Sequence, residues 1–192
     1  AYLSGSLIQG GDDYISTGAG GGTVYGDIGD LFAGFLDAGN DNIYGGSGID
    51  FIHGDLSASY EDSTNYVGGD DLISAGANND IVYGNGGNDR IYGGSGNDRL
   101  YGDAGRDVLT GGTGADIFHF TKLTDSRPGS YRDVITDFYH SEGDKIDLRS
   151  IDADYHHTGN QAFDFIGTAA FSHTEGELRF SGGVLSGDVN GD

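Results

Sequence analysis

The sequence predicts an all-β protein: a parallel β-roll of stacked short strands, capped by a small C-terminal β-rich subdomain. Three observations predict it. Glycine accounts for 38 of the 192 residues, a large apolar residue returns every nine residues, and an aspartate stands two positions before it. A nine-residue period is too short for a helix and its connection, and it suits a tight turn followed by one short strand.

The repeat runs in one frame through six consecutive units, which start at residues 66, 75, 84, 93, 102 and 111. The sixth position of every unit is an acid, namely Asp71, Asp80, Asp89, Asp98, Asp107 and Asp116. The eighth position is always large and apolar, namely Ile73, Val82, Ile91, Leu100, Leu109 and Phe118. Further units at 8, 36 and 45 contribute Asp13, Asp41 and Asp50.

The upstream half of the repeat contains irregular units. The unit at 17 keeps Val24 but has Gly22 where the acid belongs, and the stretch 26–35 is one residue too long. Residues 54–65 interrupt the period and are predicted to form a surface loop. We therefore expect a β-roll over residues 1–119, with this insertion loop, followed by a C-terminal β-rich capping module over residues 120–192.

The period also predicts where the aspartates lie. Two units form one coil, and stacked coils form two parallel sheets with the eighth-position side chains between them. Aspartates two units apart then lie on the same edge of the stack, at the strand spacing of about 4.8 Å. Asp98 is expected between Asp80 and Asp116 on one edge, and Asp89 beside Asp107 on the other.

Carboxylates stacked this closely repel each other unless a cation lies between them. Ca²⁺ takes six to eight oxygen ligands, and glycine can adopt the positive φ that turns backbone carbonyls toward an ion. We therefore predict several Ca²⁺ ions, bound by Asp13, Asp41, Asp50, Asp71, Asp80, Asp89, Asp98, Asp107, Asp116, Gly69, Gly87, Gly94, Gly96, Gly105, Gly112 and Gly114. Transition metals fit poorly because the chain has no cysteine and its six histidines are scattered. The alternative, a flexible linker, would not keep its apolar residues in phase.

The charge and composition of the chain exclude several classes of function. The chain has 31 acidic and 9 basic residues, a net charge of −22, and no Lys or Arg precedes Arg90. Such a chain repels nucleic acids and anionic membranes, so neither is an expected partner. No apolar run reaches transmembrane length, so membrane insertion is not expected. The absence of cysteine is compatible with an extracellular location, and the absence of methionine suggests a piece of a longer chain.

Two segments resemble a known family. "GGSGNDRLY" (93–101) and "GGTGADIFH" (111–119) are similar to the nonapeptide G-G-x-G-x-D-x-U-x of RTX (hemolysin-type) proteins. The resemblance covers about residues 8–119 and implies a β-roll with Ca²⁺ in rows along both edges.

The remainder resembles the C-terminal module of serralysin-type secreted metalloproteases, in the segments 111–138, 143–153, 161–180 and 187–192. This resemblance implies a bacterial protein secreted by type I secretion machinery, with an upstream, protease-like domain in the same chain. No H-E-x-x-H is present, and the sequence stops at Asp192, before the hydrophobic strand of that family's secretion signal. We therefore expect an accessory module truncated before that signal.

Other motifs are interpreted as structural, and no catalytic residue or organic cofactor is predicted. G-x-S-x-G, the P-loop and the dinucleotide fingerprint are all missing from the sequence. His156-His157 is interpreted as a surface loop, and the stretch 188–192 as the truncated start of an EF-hand-like loop. Turn and capping roles in the final domain are assigned to Asp133, Asp137, Asp144 and Asp147.

The predicted function is that of a non-catalytic calcium-binding module. It would fold on binding Ca²⁺ and support the export and folding of the upstream domain. Two alternatives stay open. A polysaccharide-binding module, as in alginate epimerase-type proteins, would use the outward-facing Tyr83, Tyr92 and Tyr101. A segment of a repeat adhesin would belong to a much longer repeat array.

Overall fold

The computed structural model describes residues 11–26, 36–37, 39–55, 66–154 and 156–191. The chain divides into two compact units, residues 1–147 and 148–192. The regular secondary structure of the described residues in both units is β-strand, apart from a 3₁₀ helix at Gly129–Tyr131, which confirms the all-β class. No helix in the described ranges is long and apolar enough to cross a membrane.

Short strands follow one another along the first unit. In chain order they are β1 (Tyr14–Ser16), β2 (Thr23–Tyr25), β3 (Leu36–Asp37), β4 (Asn42–Gly46), β5 (Phe51–His53), β6 (Tyr66–Val67), β7 (Leu72–Ala77), β8 (Ile81–Tyr83), β9 (Gly86–Gly87), β10 (Arg90–Ser95), β11 (Arg99–Tyr101), β12 (Ala104–Gly105), β13 (Val108–Thr113), β14 (Ile117–His119), β15 (Val134–Ile135) and β16 (Lys145–Asp147). They form two six-stranded parallel sheets, in the orders β1-β4-β7-β10-β13-β15 and β16-β14-β11-β8-β5-β2. Consecutive strands alternate between these sheets, so each coil contributes one strand to each, as the predicted β-roll requires. The pairs β3-β6 and β9-β12 lie outside the two sheets.

The core lies between the two sheets and consists of the eighth-position side chains. Ile91 pairs with Ile73 and with Leu109 in one sheet, and Leu100 pairs with Val82 and with Phe118 in the other. All six predicted side chains are fully buried, together with Ile43 and Ile52. Burial of each contributes about 1.5–3 kcal/mol, so the apolar period largely determines the fold.

The insertion in the repeat leaves the coil register intact. Ile43 lies opposite Ile73 and Ile52 opposite Val82, although these residues are farther apart in sequence than two repeat units. The register of the coils is therefore the same before and after residues 54–65. Residues 56–65 of the predicted loop, and residues 27–35 of the overlong stretch upstream, lie outside the described residues.

Both sheets continue beyond residue 119, where the nonapeptides end. β15 pairs in parallel with β13, and β16 pairs in parallel with β14. The reason is visible in the sequence: residues 133–135 and 144–146 both read Asp-x-Ile, the acid and apolar spacing of the repeat without its glycines. These strands cover the edges of the last repeat coil, which would otherwise offer unpaired backbone groups. The first compact unit accordingly ends at Asp147.

The second unit contains a three-stranded sheet of β17 (Asp164–Phe165), β18 (Glu177–Ser181) and β19 (Val184–Asp188). β18 and β19 form an antiparallel hairpin in which Ser181 lies opposite Val184. The two turn residues, Gly182 and Gly183, have φ values of 59° and 78°, as a type I′ turn requires. The C-terminal residues are thus β-rich as expected, and their capping role stays a prediction.

Candidate metal centres

One edge of the roll carries a continuous ladder of aspartates. The backbone N–H of Asp71 donates to Oδ1 of Asp89 at 2.9 Å, and that of Asp89 donates to Oδ1 of Asp107 at 2.8 Å. The same bond joins Asp13 to Asp41 and Asp41 to Asp71, both at 2.8 Å. Each carboxylate therefore ties its own coil to the preceding one through a charge-assisted hydrogen bond.

The opposite edge carries a second ladder. The backbone N–H groups of Asp50, Asp80 and Asp98 donate to Oδ1 of the next aspartate at 2.7, 2.8 and 2.9 Å. The ladder begins at Gly22, whose N–H donates to Asp50 Oδ1 at 2.8 Å. Glycine at the acid position thus keeps the backbone donor and lacks the carboxylate. The predicted neighbours of Asp98, namely Asp80 and Asp116, are confirmed.

The second oxygen of these carboxylates is buried without a hydrogen bond from any described residue. This holds for the Oδ2 atoms of Asp50, Asp80, Asp89, Asp98, Asp107 and Asp116. The residues themselves are at most 1% exposed. Burying an uncompensated carboxylate costs on the order of several kcal/mol. These ladder positions therefore contain regularly spaced carboxylate oxygens that no described residue satisfies.

The acidity of the ladder residues reflects this environment. Burial raises the pKa of Asp80 and of Asp98 to about 6, and it raises the pKa of Asp107 to about 8. Burial, followed by the charge of Asp107, also raises the pKa of Asp89 well above its ordinary value. At neutral pH the metal-free ladders would hold protons that isolated aspartates have already released.

The first-position glycines place their Cα atoms directly against the buried oxygens. A Cβ on Gly93 would lie 2.5 Å from Asp98 Oδ2 and 2.6 Å from the carbonyl oxygen of Gly111 in the next coil. A Cβ on Gly102 or on Gly111 would lie 2.4 Å from the corresponding Oδ2 atom. Carboxylate and carbonyl oxygens thus converge where only glycine fits. The sequence prediction omitted these first-position glycines, although they recur in the units at 84, 93, 102 and 111.

The predicted glycine ligands occupy the second and fourth positions of their units. Left-handed φ values, between 102° and 152°, occur at Gly87, Gly94, Gly96, Gly105, Gly112 and Gly114. A Cβ on Gly112 would lie 1.9 Å from the carbonyl oxygen of Gly94, and a Cβ on Gly87 would lie 1.9 Å from that of Gly69. The carbonyls of the turn glycines therefore point along the stack toward the next coil.

In three units, a turn position with positive φ is occupied by asparagine or aspartate instead of glycine. Asn78, Asn85 and Asp103 have φ values of 81°, 75° and 63°. Asparagine and aspartate adopt this conformation more readily than other non-glycine residues. The turn geometry is therefore retained where the nonapeptide pattern departs from glycine.

A further ladder at the fifth position was not anticipated. The N–H of Asp70 donates to Asn40 Oδ1 and that of Asn88 donates to Asp70 Oδ1, both at 2.6 Å. On the other edge the N–H of Ala115 donates to Asn97 Oδ1 at 2.8 Å. Here each coil donates to the preceding one, opposite to the sixth-position ladders. The available sequence signal was the recurrence of Asn or Asp immediately before the ladder aspartate.

Two aspartates beyond the repeats continue the main ladders, which corrects their assignment to the final domain. Asp133 Oδ1 accepts the N–H of Asp107 at 2.9 Å; its Oδ2 is buried without a described donor, and burial raises its pKa to about 7. Asp144 accepts the N–H of Asp116 at 3.0 Å and, through Oδ2, that of Tyr139 at 2.7 Å. One ladder thus ends on an unsatisfied oxygen and the other on a satisfied carboxylate.

The other two aspartates of that group bind within the first unit as well. Asp137 accepts the N–H groups of Gly111 and Gly112, both at 2.8 Å, so it caps the last repeat turn. Asp147 lies 3.4 Å from Nδ1 of His119. Both residues therefore have structural contacts, although not in the final domain.

The outer face of the second sheet carries a row of stacked rings. Tyr25, His53, Tyr83, Tyr101 and His119 follow one another with centroid separations of 5.0, 4.7, 4.3 and 4.3 Å. The faces of Tyr83 and Tyr101 are therefore covered by neighbouring rings. Tyr92 lies in the other sheet and is 36% exposed.

The donor set fits a hard cation. The ladders offer carboxylate and carbonyl oxygens and no imidazole, and Ca²⁺ prefers such oxygen ligands, whereas zinc and copper favour nitrogen or sulfur. Buried carboxylate oxygens that accept no hydrogen bond from the described residues can supply negative charge, and the first-position glycines leave room where a side chain would intrude. The assignment of individual residues as Ca²⁺ ligands stays a prediction.

Comparison with known families agrees with this geometry. The family model for the RTX calcium-binding nonapeptide repeat, in 4 copies, matches residues 36–58, 67–100 and 92–121. No curated protein matches the chain. The matched segments contain the ladders from Asp41 to Asp116, so this part of the chain is similar to RTX calcium-binding nonapeptide repeats.

Proposed function

We propose that this chain, part of which matches the RTX calcium-binding nonapeptide repeat, is the calcium-dependent folding module of an exported protein. It remains extended at low Ca²⁺, folds when Ca²⁺ binds between its aspartate ladders, and supports the export and folding of an upstream domain. Its own role is non-catalytic. Asp13, Asp41, Asp50, Asp71, Asp80, Asp89, Asp98, Asp107 and Asp116 would supply carboxylate oxygens, and the turn glycines would supply carbonyl oxygens.

The observation that carries this proposal is the set of buried Oδ2 atoms, in Asp50, Asp80, Asp89, Asp98, Asp107 and Asp116, that accept no hydrogen bond from the described residues. In the metal-free fold burial raises the pKa of Asp98, and the charges of the neighbouring Asp116 and Asp80 raise it further. This repulsion opposes folding, and bound Ca²⁺ supplies the positive charge that relieves it. Because the extended chain does not bring these carboxylates together, the free energy of calcium binding becomes free energy of folding.

Composition supports the link to export. The 38 glycines and the net charge of −22 disfavour a compact state without metal, because ordering glycine is entropically costly and like charges repel. Extracellular modules bind Ca²⁺ with dissociation constants of about 10⁻⁴–10⁻³ M, so the chain would fold only where calcium is abundant. Proteins with RTX repeats are typically exported.

The stacked rings argue against polysaccharide binding at this surface. A sugar that stacks on an aromatic residue needs a free ring face. Tyr83 and Tyr101 are 4.3 Å apart and nearly parallel, at 16°, and His119 covers the other side of Tyr101 at 4.3 Å. These rings therefore favour a structural role along the outer face of the sheet.

Circular dichroism and amide hydrogen exchange test the folding step. The chain would be compared in a calcium chelator, in millimolar CaCl₂ and in MgCl₂ at the same concentration. We expect β signal and slow exchange of the ladder amides in CaCl₂ alone. Equal β signal and equal protection in chelator would contradict calcium-dependent folding.

A fusion tests support of an upstream domain. The chain would be fused after a slowly refolding enzyme, and the refolding yield would be measured with and without Ca²⁺. We expect a calcium-dependent gain that disappears when Asp80, Asp98 and Asp116 are all replaced by asparagine. A gain that persists in this triple variant would show that the roll does not act through its calcium ladder.

A further inference from the structure

A mixed cluster of imidazole and carboxylate groups lies in the second unit, outside the aspartate ladders. Asp154 and His156 belong to the loop that follows the roll, and Glu175 precedes β18 by two residues. One potential ligand atom from each of these three side chains lies within 4.8 Å of the others. The fold thus brings together two segments that are well separated in sequence.

Direct contacts hold the cluster together. His156 Nδ1 contacts Glu175 Oε1, and the His156 backbone N–H donates to Asp154 Oδ1 at 2.9 Å. Next to them, His157 Nδ1 lies 2.5 Å from Asp154 Oδ2. The adjacent histidines, interpreted from sequence as a surface loop, are indeed exposed, but each ring is directed at a carboxylate.

Backbone hydrogen bonds fix both segments that carry the cluster. Asp152 Oδ1 accepts the N–H groups of Asp154 and Gln161, both at 3.1 Å. On the other segment, the N–H of Gly176, next to Glu175, donates to the carbonyl oxygen of Asp188 at 2.7 Å. Ligands anchored on a fixed backbone lose less freedom when they bind an ion.

We propose that Asp154, His156 and Glu175 form a binding site for a divalent first-row transition metal, such as Zn²⁺. Imidazole nitrogen with carboxylate oxygen is a ligand set that Zn²⁺, Co²⁺ and Ni²⁺ accept, whereas Ca²⁺ prefers oxygen alone. The site would therefore select a different ion from the ladders. The protein supplies three ligands, and solvent completes the coordination.

Charge and accessibility agree with such a site. Asp154 and Glu175 contribute two carboxyl groups to the cluster, and their negative charge attracts a divalent cation. The His156 side chain is 68% exposed and that of Glu175 is 22% exposed. A cation can therefore enter from solvent and bind between these side chains.

Isothermal titration with Zn²⁺ tests the proposal. The untagged chain would be titrated in millimolar CaCl₂, so that the ladders are occupied and the molecule is folded. We expect about one Zn²⁺ per chain, and at least a tenfold loss of affinity in His156→Ala and in Glu175→Gln. The matched control is His140→Ala, an exposed histidine of the first unit, which should bind Zn²⁺ as the unaltered chain does.

Two results would overturn the proposal. One is the absence of a Zn²⁺ site in the presence of Ca²⁺, and the other is unchanged affinity in both His156→Ala and Glu175→Gln. NMR of the histidine rings provides a readout that does not depend on how well the variants fold. In the unaltered chain Zn²⁺ should shift the ring resonances of His156 and leave those of His140 in place, and the reverse pattern would refute the assignment.

Discussion

The backbone N–H of Asp98 donates to Oδ1 of Asp116 at 2.9 Å, while Oδ2 of the same Asp116 carboxylate is buried without a described donor. The two oxygens of one side chain therefore have different roles. In the folded chain Oδ1 joins consecutive coils, and Oδ2 is available to a cation. This division makes the structural and the metal-binding contributions of each ladder residue separable by mutation.

Replacing Asp98 by asparagine or by alanine should separate these roles. Both variants lose the carboxylate charge, so both should raise the Ca²⁺ midpoint by about tenfold or more. Asparagine can still accept the N–H of Asp80, which donates to Asp98 at 2.8 Å, whereas alanine leaves that buried donor unsatisfied. In saturating Ca²⁺, Asp98→Ala should therefore unfold about 1–3 kcal/mol more easily than Asp98→Asn.

Calcium titrations followed by circular dichroism, and urea unfolding at saturating Ca²⁺, measure the two quantities. Asp70→Asn is the matched control, because Asp70 is exposed and accepts the N–H of Asn88 at 2.6 Å through an oxygen that asparagine retains. Its midpoint should stay within about twofold of the original. An unaltered midpoint in Asp98→Asn would refute the metal-binding role of this carboxylate.

Gly93→Ala should weaken calcium binding through a steric effect alone. The added Cβ would lie 2.5 Å from Asp98 Oδ2 and 2.6 Å from the carbonyl oxygen of Gly111, so the oxygens must move apart. We expect a loss of about 1–3 kcal/mol in stability and a higher Ca²⁺ midpoint. Gly20→Ala, where a Cβ would meet nothing within 4 Å, should have little effect. Equal Ca²⁺ midpoints in the two variants would contradict a role for the close approach of Gly93 to Asp98 in calcium binding.

The stability of the metal-free roll should decrease as the pH rises. Burial raises the folded-state pKa of Asp98 to about 6 and that of Asp107 to about 8, above the ordinary value of 3.8. Between these values the folded state binds more protons than the unfolded state, so its free energy of unfolding decreases with pH. The decrease should begin near pH 4 and continue to about pH 8.

Circular dichroism in chelator across this range provides the measurement. Residual β signal should be greatest at the acidic end, and the Ca²⁺ midpoint should fall toward pH 8 because protons compete for the same oxygens. A metal-free roll that gains structure as the pH rises would contradict the burial of these carboxylates.

The two aspartates beyond the repeats should differ in their dependence on calcium. Asp133 has a buried Oδ2 without a described donor, so Asp133→Asn should raise the Ca²⁺ midpoint. Both oxygens of Asp144 accept backbone N–H groups, at 3.0 and 2.7 Å. Asp144→Asn should therefore leave the midpoint nearly unchanged and lower stability by about 1–3 kcal/mol. Urea unfolding combined with calcium titration would distinguish the two, and a shared response would contradict the assignment.

Much of the fold and of the ladder was predictable because one period encodes both. An apolar side chain at the eighth position is buried between the two sheets, and this burial sets the register of every coil. The positions of Asp80, Asp98 and Asp116 follow from that register. The first-position glycines were not predicted, because the close approach of Gly93 to Asp98 becomes evident only when side-chain oxygens have coordinates.

The sequence by itself determined the β-roll, its core and the residues along each edge, since these depend on the nine-residue spacing. Contacts between residues whose separation in sequence follows no period are evident only in the tertiary structure. The ladders extend to Asp133 and Asp144 because the chain returns to the roll after the last repeat. His156 contacts Glu175 because the second unit folds the two segments together. Local patterns encode neighbours along a regular stack, whereas contacts across irregular segments depend on how the whole chain packs.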